Sequence, residues 1–233
     1  MKKLFTAIVA ALVALPSFAQ FSSGGFELDK ENLYFGARIG LSLSGISGDS
    51  YQKPENPGNP YRTDISGFKA GLTLGGVIGL RLSSTTPVFL ESGVYYTQTG
   101  GKKDDITVNM NCIEIPVLVK YGVKVADEIA VLPFFGPYFS HGFTGKTKQP
   151  KSFNGSTESG NESIDTYKQS HAITGGLKRN EMGLKIGCGA EYNKLYLEIG
   201  FKYSLTNSAK GSDHEYDFTA HPYSLFTNFG VNF

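Results

Sequence analysis

The last eleven residues of this 233-residue chain alternate without a break. Tyr223, Leu225, Thr227, Phe229, Val231 and Phe233 fall on one side, and Ser224, Phe226, Asn228, Gly230 and Asn232 on the other. A period of two marks a β-strand whose faces meet different surroundings. The first face is apolar up to the residue that ends the chain; the second is small and polar apart from Phe226. Such a strand cannot stand alone, because its backbone groups need partners on both edges.

Seven earlier segments supply them. Phe35, Ala37, Ile39, Leu41 and Leu43 alternate with Tyr34, Gly36, Arg38, Gly40 and Ser42. Phe68 to Leu82 alternates against Lys69, Gly71, Thr73, Gly75, Gly79 and Arg81, and Val88 to Tyr96 against Phe89, Glu91, Gly93 and Tyr95. Ile113 to Tyr121 opposes Cys112, Glu114, Pro116, Leu118 and Lys120. A fifth segment, Ile129 to Phe143, is apolar on both faces, so its orientation is open; Pro133 and Pro137 share one face and weaken its ladder. Met182 to Tyr192 opposes Glu181, Gly183, Lys185, Gly187, Gly189 and Glu191, and Leu195 to Leu205 opposes Tyr196, Glu198, Gly200, Lys202 and Ser204.

The connections are unequal in an ordered way. Ser83–Pro87, about Gly122–Glu128 and Asn193-Lys194 are short; Ser44–Ser66, Thr99–Ile106, about Thr144–Gly176 and Asn207–Ala220 are longer. Short turns on one side, long loops on the other and an even strand count are the pattern of a transmembrane barrel. A secreted soluble barrel would turn its second face to water and fill it with Lys, Glu, Thr and Ser. Here that face is dominated by glycine, which suits a narrow interior and not a solvated strand. The first face carries no charge, as lipid contact requires. The expected fold is all-β: an eight-stranded antiparallel up-and-down transmembrane barrel, similar in architecture to small OmpX- and OmpA-type barrels. An open edge in hydrocarbon leaves backbone groups unpaired, so the first and last strands must meet.

The other end of the chain agrees. Lys2 and Lys3 precede an apolar run, Leu4 to Leu15; Pro16 breaks it and Ser17-Phe18-Ala19 offers small residues for cleavage. This reads as a secretory signal peptide over residues 1–19, followed by an N-terminal periplasmic segment, 20–32, and the barrel, 33–233. Both termini are then periplasmic and the barrel lies in the outer membrane. Losing the leader takes the formal charge from +1 to −1, since it carries two lysines and no acids. A near-neutral chain argues against a nucleic-acid partner.

The inward face collects Arg38, Lys69, Arg81, Lys120, Lys185 and Lys202 with Glu91, Glu114, Glu181, Glu191 and Glu198. Eight strands enclose only enough room for their own side chains, so these charges are expected to neutralise one another and fill the lumen; the alternative is a selective pore or proton path. A two-residue turn at Asn193-Lys194 would pair Tyr192 with Leu195 and hence Lys185 with Lys202. Like charges directly opposite repel, so acidic partners are expected from across the barrel, with Glu91 and Glu114 the candidates. Cys112 faces inward and Cys188 outward on separate strands, so no disulfide is expected between them.

The run Ile113-Glu114-Ile115-Pro116-Val117-Leu118-Val119-Lys120-Tyr121 resembles the "aromatic/Leu-Glu-Ile-Pro-Leu-Leu-Leu-Lys-Tyr" signature of the small porin-like, PorT-type outer-membrane barrels of Bacteroidota. Tyr95-Tyr96-Thr97-Gln98-Thr99-Gly100, Phe135-Gly136-Pro137-Tyr138, Gly183 to Tyr192 and Tyr203-Ser204-Leu205-Thr206-Asn207 resemble further pieces of that pattern in order, with one glycine missing before Leu205. The resemblance implies an eight-stranded barrel inserted by the barrel-assembly machinery. It implies no single activity; some such proteins serve a secretion apparatus.

Chemistry is thinly signalled. His141, His171, His214 and His221 lie in or beside expected external loops, and Ser212-Asp213-His214-Glu215 is the densest cluster. Residues adjacent in sequence rarely form a triad, which is a matter of geometry. No catalytic residue, cofactor or metal is expected, and Cys/His spacing of the zinc kind is missing. A rim-sited lipid-modifying enzyme is the alternative. The expected partners are outer-membrane lipid, the assembly machinery, and a surface ligand or secretion complex reached through loops such as Tyr51–Tyr61 and Lys146–Ser170.

The terminal row Tyr223, Leu225, Phe229, Val231 and Phe233 reads as the insertion signal. Deleting Phe233 is expected to slow assembly more than it destabilises the finished barrel; normal membrane levels of that variant would contradict this.

Overall fold

The computed structural model describes residues 33–53, 61–126, 128–151, 160–168, 176–210, 212–213, 216–217 and 219–233. The expected leader, its cleavage position and the segment to residue 32 lie outside them, as do His171, His214 and Glu215.

The strands are β1 (Leu33–Lys53), β2 (Tyr61–Arg81), β3 (Val88–Lys103), β4 (Ile106–Tyr121), β5 (Val123–Ala126), β6 (Ile129–Pro150), β7 (Asn161–Asp165), β8 (Asn180–Tyr192), β9 (Leu195–Ser204), β10 (Ser212–Asp213), β11 (Tyr216–Asp217) and β12 (His221–Asn232). Eight of them, β1, β2, β3, β4, β6, β8, β9 and β12, pair antiparallel in chain order, and β12 returns to β1. The seam is sealed to its last residue: Phe35 and Phe233 exchange two backbone hydrogen bonds, of 3.0 and 2.8 Å.

Following paired residues once round, Leu33 leads through Leu80, Leu90, Val119, Phe135, Ile186, Phe201 and Leu225 back to β1 at Leu43, ten residues further along. That stagger on eight strands gives a tilt of about 40° and a barrel radius of about 8 Å. Every residue on this spiral is apolar and none is buried. Leu41 is 63% exposed and Ile199 57%, as a lipid-facing wall requires.

The interior is narrow, and the inward glycines make it passable for rings. Tyr34 pairs with Gly79, Tyr95 with Gly75, Phe134 with Gly187, Tyr138 with Gly183, Tyr196 with Gly230 and Phe226 with Gly200. At Gly79, Gly75, Gly183, Gly187 and Gly200 a β-carbon would collide with the ring of the paired aromatic. A ring laid over a cross-strand glycine covers otherwise bare backbone and fills the lumen without pushing the strands apart.

The structure settles the fifth segment and corrects the connections. In β6, Ala130, Leu132, Phe134, Tyr138 and Ser140 face in, while Pro133 and Pro137 face lipid. Phe134 and Tyr138 go inward because glycines on β8 make room for them. The expected loop Thr99–Ile106 is a hairpin whose strands continue to a two-residue turn, Asp104-Asp105, with Asp104 at φ 47°. The loops expected at Ser44–Ser66 and about Thr144–Gly176 are shortened in the same way: β1 runs on to Lys53, β2 starts at Tyr61 and β6 reaches Pro150. The cause is an apolar inner lining that continues above the bilayer. Ile46, Ile65, Ile106, Val108, Met110, Cys112, Tyr167, Leu177, Ala209 and Ala220 form one buried cluster, a second core that holds the strands together outside the membrane. Asn193-Lys194 is the tight turn expected, with Asn193 at φ 57°, and Lys185 does lie opposite Lys202. Cys112 is buried inside and Cys188 sits on the outward face; both are free thiols.

Gly79→Val would displace the Tyr34 ring from its seat. Overpacking of this kind costs about 1–3 kcal/mol. The expected result is a lower unfolding temperature in detergent, read from loss of the heat-modifiable folded band, with the membrane location retained.

Candidate functional site

Two clusters of charge lie one above the other along the barrel axis. The cluster nearer the short turns is centred on Glu91, which is 1% exposed. It accepts from the Tyr34 hydroxyl at 2.7 Å and meets Lys120 Nζ at 2.8 Å and Arg38 Nη2 at 3.6 Å. Lys120 donates to the Tyr196 hydroxyl at 2.7 Å and lies 3.7 Å from Glu198. Tyr196 and Asn228 both donate to Glu198, at 3.0 and 2.7 Å. Arg38 donates to Asn232 at 2.6 Å, and Asn232 donates to Glu191 at 2.9 Å. The guanidinium also lies 4.2 Å from the Tyr196 ring centroid, a cation–π contact strengthened by exclusion of water. The space between Tyr34, Phe89, Leu132, Glu191, Tyr196 and Asn232 has no room for a water molecule.

In the upper cluster Glu114 is shared. Lys185 donates to one carboxylate oxygen at 2.6 Å and Lys202 to the other at 2.5 Å. Their ammonium groups also lie 4.5 Å from the Phe226 ring and 5.3 Å from the Tyr138 ring. Tyr138 in turn donates to Glu181 at 3.2 Å. The lysines that repel across β8–β9 are therefore bridged by one carboxylate from β4.

Of the two acids expected to reach those lysines, Glu114 does and Glu91 serves Lys120 and Arg38 instead. The stagger explains this. Glu91 and Lys185 belong to one cross-strand row, but a row climbs about 3 Å per strand from β1 round to β12. Three strand-to-strand steps, across β4 and β6, separate the two residues, so Glu91 lies nearer the short turns than Lys185. Arg38, Glu91, Lys120, Glu191 and Glu198 are thus brought together, as are Glu114, Lys185 and Lys202. Lys69, in the middle of β2, and Arg81, at its end, make backbone contacts of their own: Lys69 Nζ to the Ala70 carbonyl at 3.3 Å, Arg81 Nε to the Ser83 carbonyl at 2.8 Å. The network also uses three tyrosines and two asparagines that the charge pattern alone did not single out. Their signal was available: Tyr34, Tyr196, Asn228 and Asn232 alternate onto the inward face, while Tyr138 lay on the strand whose orientation was open.

Above the clusters, the Arg179 guanidinium covers the Tyr167 ring at 4.2 Å and donates to the Gly142 and Phe143 carbonyls. Burial pushes the Tyr167 phenol above its ordinary range. His141 Nδ1 meets the Asn180 amide oxygen at 2.6 Å, and His221 Nδ1 meets the Ser204 carbonyl at 3.0 Å while stacking on Tyr203. Each ring is thus held through Nδ1 by an amide oxygen. The side chains of Ser212, Asp213, His214 and Glu215 lie outside the described residues. Among the described residues no group of His, Cys, Asp and Glu is placed to hold a metal ion.

A family model described as the outer membrane protein beta-barrel domain matches residues 18–210. No curated protein matches the chain. Several solved structures resemble the chain, three of them as follows. A major outer membrane protein from Thermus thermophilus is 15% identical, with a TM-score of 0.48 over 87% of this chain and 100% of that one. OprG from Pseudomonas aeruginosa is 11% identical, with a TM-score of 0.47 over 88% and 97%. Neisserial surface protein A is 13% identical, with a TM-score of 0.43 over 87% and 98%.

Glu114→Gln would leave two buried ammonium groups without their counter-charge. Breaking a buried ion pair on one side costs about 3–5 kcal/mol. The variant is expected to unfold at a clearly lower temperature in detergent. The triple change Glu114→Leu, Lys185→Met and Lys202→Met is expected to recover most of the loss, because it removes the charges together.

Proposed function

The chain belongs to the outer membrane protein β-barrel domain family, and from that premise we propose that it is a non-enzymatic outer-membrane barrel with a closed lumen. It acts through its external part, as a surface-binding or secretion-complex component. In this reading residues 1–19 are a signal peptide, both mature termini face the periplasm, and the PorT-type motif around Glu114 reflects membership of that group in Bacteroidota.

One observation carries the proposal: Lys120, fully buried, is held between Glu91 and Glu198 on different strands. A charge held from two sides of the lumen, with the Tyr196 and Phe134 rings 4.4 and 5.4 Å from it, is a filling and not a lining. An ion path would need these pairs to part, and each separated charge in so buried an interior is unfavourable by several kcal/mol. The apolar cluster above them, from Ile46 to Ala220, adds a second barrier of the opposite polarity. With the interior filled, the outer surface is where contacts with other molecules are available.

The full-length mature barrel, reconstituted in a planar bilayer, is expected to give no stable conductance steps at neutral pH. Reproducible ion-selective steps would overturn the closed-lumen reading. Proteins that co-purify with the detergent-extracted barrel then distinguish a secretion-complex component from a solitary surface barrel.

A further inference from the structure

Above the lipid-facing wall, β3, β4, β6 and β7 continue as one sheet whose outward face changes character in rows. The row Tyr96, Ile113, His141 and Asn180 borders the apolar band. The next is Gln98, Asn111 and Thr144, tied together by hydrogen bonds: Tyr96 donates to Asn111 at 2.9 Å, Gln98 to Tyr96 at 3.0 Å and Asn111 to Thr144 at 2.8 Å. Then comes Asn109 with Lys146 and Asp165, and finally Lys102, Thr107, Lys148 and Ser163. Lys102, Lys146 and Lys148 are all exposed, while the alternate residues Val108, Thr147 and Gln149 are buried beneath them. The acid in these rows, Asp165, turns one carboxylate oxygen back to the Tyr167 amide at 2.9 Å. Asp104 and Asp105 stand farther out, at the hairpin turn.

We infer that this face is the seat of a phosphorylated glycolipid of the outer leaflet, its sugars against the amide and hydroxyl rows and its phosphates on Lys102, Lys146 and Lys148. Three features point there. The face is continuous with the lipid-facing wall, so whatever surrounds the barrel at that depth touches it. Its polar groups are planar amides and hydroxyls beside the aromatic rings of Tyr96 and Phe143, whose centroids lie 6.1 Å apart, a surface suited to sugar hydroxyls. Its height discriminates between lipids. Each row rises about 5 Å along the barrel axis, which puts the lysine rows about 10–15 Å above the aromatic border. A phospholipid headgroup layer is only about 5–8 Å deep, whereas a headgroup of several phosphorylated sugars reaches that far. Juxtamembrane lysines are attracted to anionic headgroups at about 1 kcal/mol each. The inference rests on the outer-membrane location and not on the closed lumen, so conductance in the bilayer experiment would leave it standing.

The test uses the full mature barrel in detergent, titrated with rough-type lipopolysaccharide carrying phosphorylated core sugars. Parallel titrations use the same glycolipid after phosphatase treatment and phosphatidylglycerol. The wild type is expected to prefer the phosphorylated glycolipid. The K102E/K146E/K148E variant, and the milder K102Q/K146Q/K148Q, are expected to weaken its binding by about tenfold or more, whereas Lys124→Glu at the opposite rim leaves it unchanged. The heat-modifiable band verifies that each variant is folded; if the charge-reversed one is not, the glutamine variant decides. Equal binding of the dephosphorylated glycolipid, equal binding of phosphatidylglycerol, or unchanged binding by the folded triple variants would overturn the inference. So would loss of a co-purifying protein with glycolipid binding intact, which would assign the face to a protein partner.

Discussion

In hydrocarbon a backbone amide has no water to turn to, and the rest of this structure follows from that. Every strand that crosses must be paired on both edges, so β12 has to find β1, and Phe233 closes on Phe35 at the end of the chain. Closure at a stagger of ten fixes the tilt, the tilt fixes a radius of about 8 Å, and the radius decides what the interior can hold. Rings enter where the paired strand offers glycine. The charges at the barrel's centre enter where a partner waits on another strand.

The charged interior is consistent with this constraint at a finer level. Lys185 and Lys202 are forced opposite one another by the tight turn at Asn193-Lys194, because a shift of one residue would send both faces of β8 or β9 to the wrong side. The repulsion is answered by Glu114, which spans from β4 and receives both. An ion pair of this sort contributes less to net stability than its short distances suggest, since both partners give up hydration. It does add specificity: a β4 shifted in register would strand two ammonium groups without a counter-charge. The network favours one closed arrangement of the barrel over neighbouring ones.

Outside the bilayer the same strands answer to a different solvent. The inward face turns from charge and tyrosine to isoleucine, valine and methionine, forming a core of the soluble kind above a polar lumen. The outward face turns from leucine and isoleucine to amide, hydroxyl and lysine. Cys112 lies at the changeover, where the β4–β6 register shifts between Asn111 and Cys112. In the proposed reading the outer surface carries the contacts, and it presents the sheet extension as well as the loops.

The alternation of residues such as Ile39 with Arg38, or Leu197 with Glu198, determined by itself the strand count, the two faces, the membrane-facing side and the tight turn at Asn193-Lys194. A period of two is local, and lipid tolerates no charge on one face. Three things were decided only by the tertiary structure. Phe134 and Tyr138 turn inward because glycines more than forty residues away on β8 leave space for their rings. Glu114 takes Lys185 and Lys202 while Glu91 takes Lys120 and Arg38, because the stagger, a property of the closed barrel, sets which rows share a height. The strands outlast the bilayer because Ile46, Ile65, Val108 and Leu177, distant in sequence, become one core. Alternation says which side a residue takes; only closure says at what depth it lies and whom it meets.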